Sequence, residues 1–469
     1  MQNSHLIVVL KTFSKKELRD LEKWLESPSH NQRQDVLSLF QYLATNDALD
    51  SEKHLKKEKI YGKIFPREPF DDAKLRQTIH FLFKAVEEFL IYQKMQEDVT
   101  QSQLTLASIY RQRKLDKAFK KSVRIVEELQ TKLPYRNQQY LHSEYLLQQE
   151  KYLFLEGKER TIKMNLQEVS DALDASFIAD KLRQSCNMLA HQMLYKASYN
   201  MGLLEAVLHY IEDNQLTDNP AIGFYYYIYK TLTEEDNATH FEALNEQIQV
   251  ASHLFPQEEM RGIYLHAINY CIVRLNSGQE AYFRKAFELY KKGIEEKILL
   301  TNNTIDPYLF RNVTAVGLKL KEFTWVDFFI HNYKDYLVEE HRENFFKFNL
   351  ARLRVEQNNY DSAIQLLAAT DFDDVLIHLS AKTMLLKIYY ELEEIDALES
   401  LLESMRTYLN RKELVGSYRP IYQNIIRYTK KLVRLNPYDK ARKEKLRQEI
   451  LNVNPLPERP WLLKQLDKI

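Results

Sequence analysis

The sequence predicts an all-α protein, and three observations lead there. Glycine is scarce, with nine in 469 residues, about 2% against a typical 7%. Proline, at 12, is scarce too. Sheets need tight turns, and tight turns favour glycine, so a chain this poor in both is built of helices joined by short polar loops. Third, the apolar residues recur at three- and four-residue spacing, the period of a helix with one buried face. The 45% hydrophobic content is ample for a core, and 30 tyrosines and 23 phenylalanines supply bulk between packed helices.

The first hundred residues read as a module of four helices. Ser14 caps the first of these, which runs to Glu26, and Glu17 three residues on completes a capping box. Its inward positions are Leu18, Leu21, Trp24 and Leu25, and Ser27-Pro28 ends it because the residue before proline avoids the helical region. A second helix spans about residues 32–44 on Val36, Leu37, Phe40 and Leu43, and a third about 51–64. After Pro66 and Pro69, Asp71 caps a long helix to about residue 96 along Leu75, Ile79, Leu82, Val86 and Phe89. The short apolar run Leu6–Leu10 is not assigned to an element.

From about residue 101 the pattern becomes one of helix pairs with internal self-similarity. Shifting LARLRVEQNNYDSAIQLL (350–367) by 35 onto LLKIYYELEEIDALESLL (385–402) matches Leu350 to Leu385, Tyr360 to Ile395, Ala363 to Leu398 and Leu366 to Leu401. Residues 314–330 fit the same frame, with Phe323 over Tyr360 and Val326 over Ala363; upstream, Ala286 fills that slot. The slot thus recurs at 286, 326, 363 and 398, at intervals of 40, 37 and 35, with fainter candidates at Ala118, Val207 and Leu244. A small residue in the first helix (Ala351), an aromatic before the second (Tyr360), a small residue within it (Ala363) and Leu366/Leu367 after it resemble a tetratricopeptide unit. The resemblance covers residues 290–403 and extends more weakly over 101–290. It implies an α-α superhelix, a solenoid of helical hairpins, with the first helix of each pair lining a concave face. The expected organisation is therefore an N-terminal helical module (1–100), a tetratricopeptide-like solenoid (101–403) and basic C-terminal helices with a proline-rich end (404–469). In that end, helices are expected over 418–435 and 438–452, with NPLPERPW (454–461) extended and a last short segment carrying Trp461, Leu462 and Leu466.

The chemistry that is missing narrows the function. The nearest two glycines, Gly278 and Gly293, are fifteen apart, so there is neither a GxGxxG nor a Walker phosphate loop. There is no HExxH, no CxxC and no G-x-S-x-G elbow. His331 and His341, ten apart, are poorly spaced for one helix face. Cys186 and Cys271 lie in apolar helical patterns and read as buried, reduced residues. These features predict a non-enzyme with no cofactor and no metal. The start has no apolar core long enough for a signal peptide, and no stretch approaches the roughly 20 apolar residues of a membrane span; a cytoplasmic protein without membrane contact is expected.

Net charge is zero, from 66 basic and 66 acidic residues, so bulk charge does not call for nucleic acid. The charges are segregated, however. Residues 406–469 hold 16 basic and 6 acidic residues, a net of +10, including KARKEKLR (440–447). Thr231–Met260 has seven carboxylates and no Lys or Arg, and Asp371–Glu403 has nine carboxylates against Lys382 and Lys387. The basic end is expected to be a solvated cap, or to dock on the acidic repeat before it. In the tetratricopeptide frame Lys319, Arg352 and Lys387 project from successive first helices, with Tyr308 and Arg311 nearby, and Arg352 and Lys387 share one slot. Such a row could clamp a carboxylate-bearing peptide by charge-assisted hydrogen bonds. FYYYIY (224–229) is expected to pack between neighbouring helices. The leading expectation is a scaffold binding a protein or peptide, an acidic one where the clamp holds it. The rival is a regulatory protein contacting nucleic acid through the N-terminal helices or the basic end.

Overall fold

The structure is a computed structural model, and it describes all residues except 1–3, 46–48, 50, 157, 159–162, 196, 235–236, 369–373 and 412–417. Among the described residues the chain forms 23 α-helices and three short 3-10 turns. Pairing of strand type is confined to two isolated bridges, Thr301 with Thr304 and Ile305 with Leu337. The fold is all-α. The chain divides into two compact units, Met1–Asp180 and Lys181–Ile469. Part of the acidic runs (Glu235, Asp236, Asp371 and Asp373) lies outside the described residues.

The first unit opens with α1 (His5–Leu10), α2 (Lys15–Glu26), α3 (Gln34–Ala44), α4 (Lys57–Ile64) and α5 (Asp72–Glu97). The capping box is present: the Glu17 N–H donates to Ser14 Oγ at 3.2 Å, and the Ser14 N–H donates to Glu17 Oε2 at 2.7 Å. Asp71 caps α5 by accepting from the N–H groups of Ala73 and Lys74. The expected four-helix module is corrected to five helices. The fifth is α1, whose Leu6, Ile7 and Leu10 are almost wholly buried. Six residues are too few for a helical period to show, and α1 is held by its contact with α5 rather than by its own propensity. The third expected helix is also shorter, because residues 51–56 form turns. Asp35 ties α3 to α5: it accepts from Arg33 at 2.7 Å and from Thr78 Oγ1 at 2.9 Å. The unit continues with α6 (Val99–Gln112), α7 (Asp116–Lys132), α8 (Gln138–Leu155) and α9 (Leu166–Tyr195), the last of which runs on into the second unit.

The second unit continues with α10 (Leu204–Asp213), α11 (Pro220–Thr233), α12 (Ala238–Ala251), α13 (Gln257–Asn276), α14 (Tyr282–Glu295), α15 (Pro307–Lys319), α16 (Phe323–Asn332), α17 (Glu339–Glu356), α18 (Tyr360–Ala368), α19 (Val375–Glu391), α20 (Ile395–Arg411), α21 (Tyr418–Val433), α22 (Lys440–Asn452) and α23 (Arg459–Lys468). From α11 to α21 each helix packs on the next, and α15, α17 and α19 also touch in succession. The slot residues Ala286, Val326, Ala363 and Leu398 are each 0% exposed. Val326 is bulkier than alanine, and its room comes from Gly317 on the facing helix, where an added Cβ would lie 2.5 Å from Val326 Cγ2. The proline-rich end is helical from Arg459, so the extended stretch is shorter than expected.

One helix ending recurs along the chain. Lys114, Gly278, Lys321, Asn358 and Glu393 all have φ between 57° and 89°. In each case the residue's N–H donates to the carbonyl three back, and the next residue's N–H donates to the carbonyl five back, as Glu394 does to Tyr389 at 2.9 Å. This is the Schellman ending, in which a left-handed residue turns the chain and satisfies the orphan carbonyls of the helix. In four cases a three-residue link carries it: 113–115, 320–322, 357–359 and 392–394. Counting from these links puts Phe119, not Ala118, in the α7 slot; Phe119 is 3% exposed whereas Ala118 is half-buried.

Candidate functional site

Three helices present one face each to a cavity of about 610 Å³. Residues three, four and seven apart share a helix face. By that spacing Arg311, Ala315, Leu318 and Lys319 face it from α15, Phe348, Arg352, Val355 and Glu356 from α17, and Ser380, Thr383, Met384 and Lys387 from α19. Lys321, Tyr422 of α21 and the loop residues Pro457 and Glu458 complete the wall. Ala315, Arg352 and Lys387 are 37 and 35 residues apart, the intervals of the buried slot, so the repeat aligns the outer face as well as the inner one.

Of the five residues singled out from the sequence, Arg311, Lys319, Arg352 and Lys387 line this cavity together. Tyr308 does not. Its hydroxyl donates to Asp374 at 2.8 Å, its ring meets Phe345 edge-on, and the hydrogen bond to that carboxylate raises its pKa. Arg352 donates to the Arg311 carbonyl at 3.3 Å, and its guanidinium lies 5.8 Å from the Phe348 ring. Burial, reinforced by the Arg311 charge, lowers its pKa to about 10; it stays cationic at neutral pH. Lys387 donates to Glu458 at 2.8 Å. Lys319 is exposed, with its ammonium 5.8 Å from the Phe283 ring. The lining holds five cations, Arg311, Lys319, Lys321, Arg352 and Lys387, against two carboxylates, Glu356 and Glu458.

Sequence reasoning missed Tyr422, Pro457 and Glu458. They lie beyond α20, and no local pattern signals where the chain returns. It returns because the C-terminal helices dock on α19. Glu391 accepts from Trp461 Nε1 at 2.7 Å, from Gln465 at 3.1 Å and from Tyr360 at 2.9 Å. Lys430 reaches Glu403 at 3.5 Å. A separate cleft of about 340 Å³ is lined by Lys430, Lys431, Arg434, Arg442 and Lys445. Three of these cations already meet carboxylates: Lys430 with Glu403, Lys431 with Glu449 and Arg442 with Asp439.

The other candidates are structural. Cys186 and Cys271 are buried; burial raises both thiol pKa values, that of Cys271 to about 12. A thiol held protonated is a poor nucleophile. In the aromatic run, Phe224, Tyr225, Tyr226 and Ile228 are buried, and the hydroxyls of Tyr225 and Tyr226 donate to Glu259 and Glu212. His331 donates to the Asp327 carbonyl. Among the described residues no group of three or more His, Cys, Asp or Glu is arranged to hold a metal, and no helix is long and apolar enough to cross a membrane. No family model, curated protein or solved structure matches the chain.

Proposed function

We propose that this chain is a non-catalytic scaffold, a tetratricopeptide-like solenoid whose groove over α15, α17 and α19 takes an acidic protein or peptide. The observation that carries this reading is the shared cavity: four of the five residues singled out from the sequence line it, and cations outnumber carboxylates there five to two. The succession of contacts along α15, α17 and α19 supports the hairpin stacking. A peptide laid across these helices would meet Arg311 and Lys319 from α15, Arg352 from α17 and Lys387 from α19, and charge-assisted hydrogen bonds would anchor its carboxylates. The bonds are directional, so the row selects where acidic residues fall along the peptide as well as their number.

Fluorescence anisotropy with labelled Asp/Glu-rich peptides, beside neutral peptides of equal length, tests this. The Lys319→Glu, Arg352→Glu, Lys387→Glu triple variant should weaken acidic-peptide binding by about a hundredfold, roughly one factor of ten for each 1.4 kcal/mol lost. Undiminished binding in that variant removes the reading.

A further inference from the structure

We propose that the part of the cavity between Arg311 and Arg352 is a binding site for a phosphate-monoester dianion, an inference that rests on the groove reading only for where the phosphate would come from. Arg352 uses one of its donors, on the Arg311 carbonyl, and the Arg311 guanidinium has no hydrogen bond or ion pair to any described residue. An arginine carries five N–H donors in a rigid fork suited to phosphate oxygens. Two such forks therefore face the cavity with most of their donors free.

The protein's own carboxylates fill this role only in part: Glu356 and Glu458 favour the cationic form of Arg352 from a distance, and neither forms an ion pair with it. Glu356 follows Arg352 by one helical turn on α17 and lines the same cavity, yet the two form no ion pair. Glu458 also lines it and is bound to Lys387 instead. Like charges thus stand together in a part-buried place, and burial with the Arg311 charge disfavours the cationic form of Arg352 by more than Glu356 and Glu458 restore. An anion relieves that repulsion. The lining has three cations in excess, five against two; a carboxylate would offset one and a phosphate dianion two. The wall formed by α19 and α21 supplies the hydroxyls of Ser380 and Tyr422, 3.5 Å apart, while that of Thr383 is engaged in donating to the Leu379 carbonyl. Three terminal phosphate oxygens can engage both walls, whereas the two oxygens of a carboxylate are used up by one guanidinium.

The dianion could be a phosphorylated side chain of a partner or a small phosphorylated metabolite. The test uses the full-length protein with inorganic phosphate as probe, against chloride at matched ionic strength. About 10 mM phosphate should raise the melting temperature by roughly 1–2 °C if binding is near-millimolar. Arg311→Gln and Arg352→Gln should each abolish the rise, and Arg352→Lys, which keeps the charge but loses the fork, should weaken titrated phosphate binding about tenfold. Circular dichroism establishes that each variant is folded, and Arg311→Gln serves if Arg352→Gln is not. No rise beyond chloride, or an equal rise in folded Gln variants, overturns the proposal. A phosphoserine peptide that outbinds its unphosphorylated twin identifies a protein source, and glucose 6-phosphate that binds as well as that peptide identifies a small-molecule source. Acidic-peptide binding that is lost in the triple variant, with no phosphate response, removes this site and leaves the groove reading. A phosphate response without acidic-peptide binding does the reverse.

Discussion

Gly317 and Val326 show how one residue licenses another. At the slot position two repeats carry alanine and can approach closely, but Val326 carries two more carbons, and the facing Gly317 gives up its Cβ to admit them. Gly317→Ala should therefore cost about 1–3 kcal/mol by overpacking, even though alanine is the better helix former. Adding Val326→Ala should recover part of that loss, since residues in contact couple. Urea denaturation of the two single variants and the double variant measures both effects; additive losses would mean that the two positions do not share this space. The same close scale governs the cavity, where Arg352 and Glu356 sit one turn apart without pairing.

The helix ends recur more regularly than the helix faces do. Four links of three residues turn the chain through a non-glycine left-handed residue, Lys114, Lys321, Asn358 or Glu393. Asparagine tolerates that conformation; lysine and glutamate pay about 1 kcal/mol of Cβ strain. Lys114→Gly and Glu393→Gly should each stabilise the protein by roughly 0.5–1 kcal/mol, read as a higher denaturation midpoint, and should add. Destabilisation in both would mean that these side chains do more than tolerate the turn. Between α3 and α5 the fastening is electrostatic. Burial alone would raise the Asp35 pKa, but hydrogen bonds from Arg33 and Thr78 and the Arg33 charge hold it below the ordinary value. A depressed folded pKa contributes stability that is present above the unfolded value, about 3.9, and is lost as pH falls through the folded one. Asp35→Asn should thus destabilise the first unit at pH 7 and progressively less as pH falls below about 3.9; a pH-independent difference in melts would remove the ionised pair as the cause.

Across the whole chain, equal numbers of positive and negative charges conceal a division of labour. The basic end meets acidic side chains near α19 and α20, with Trp461 as its anchor: the indole is 8% exposed, donates to Glu391 and packs edge-on against Tyr390. Trp461→Ala should cost about 3–5 kcal/mol, because it removes a large buried ring and leaves Glu391 short of a donor. Thermal melts measure this, and a change within about 0.5 kcal/mol would show that α23 is held from elsewhere. The same variant should loosen the loop that brings Glu458 to Lys387, so the stability of the C-terminal helices and the shape of the cavity are linked.

Helicity, the Ser14 cap, the buried slot at 286, 326, 363 and 398 and the shared outer position of Arg352 and Lys387 were all legible in the sequence. Each is a matter of spacing along one helix or of one helix against its repeat, and spacing is written in consecutive residues. Tertiary structure alone decided the rest. The α1 helix exists because α5 receives it, and the left-handed links show no glycine at four of five places because the fold imposes the turn. Lys387 meets Glu458 across 71 residues, and Arg352 forms no ion pair with Glu356 one turn away. Which charges pair depends on where the chain returns after the last repeat, and that is set by burial of Trp461, Leu462 and Leu466, a long-range packing choice with no local signature.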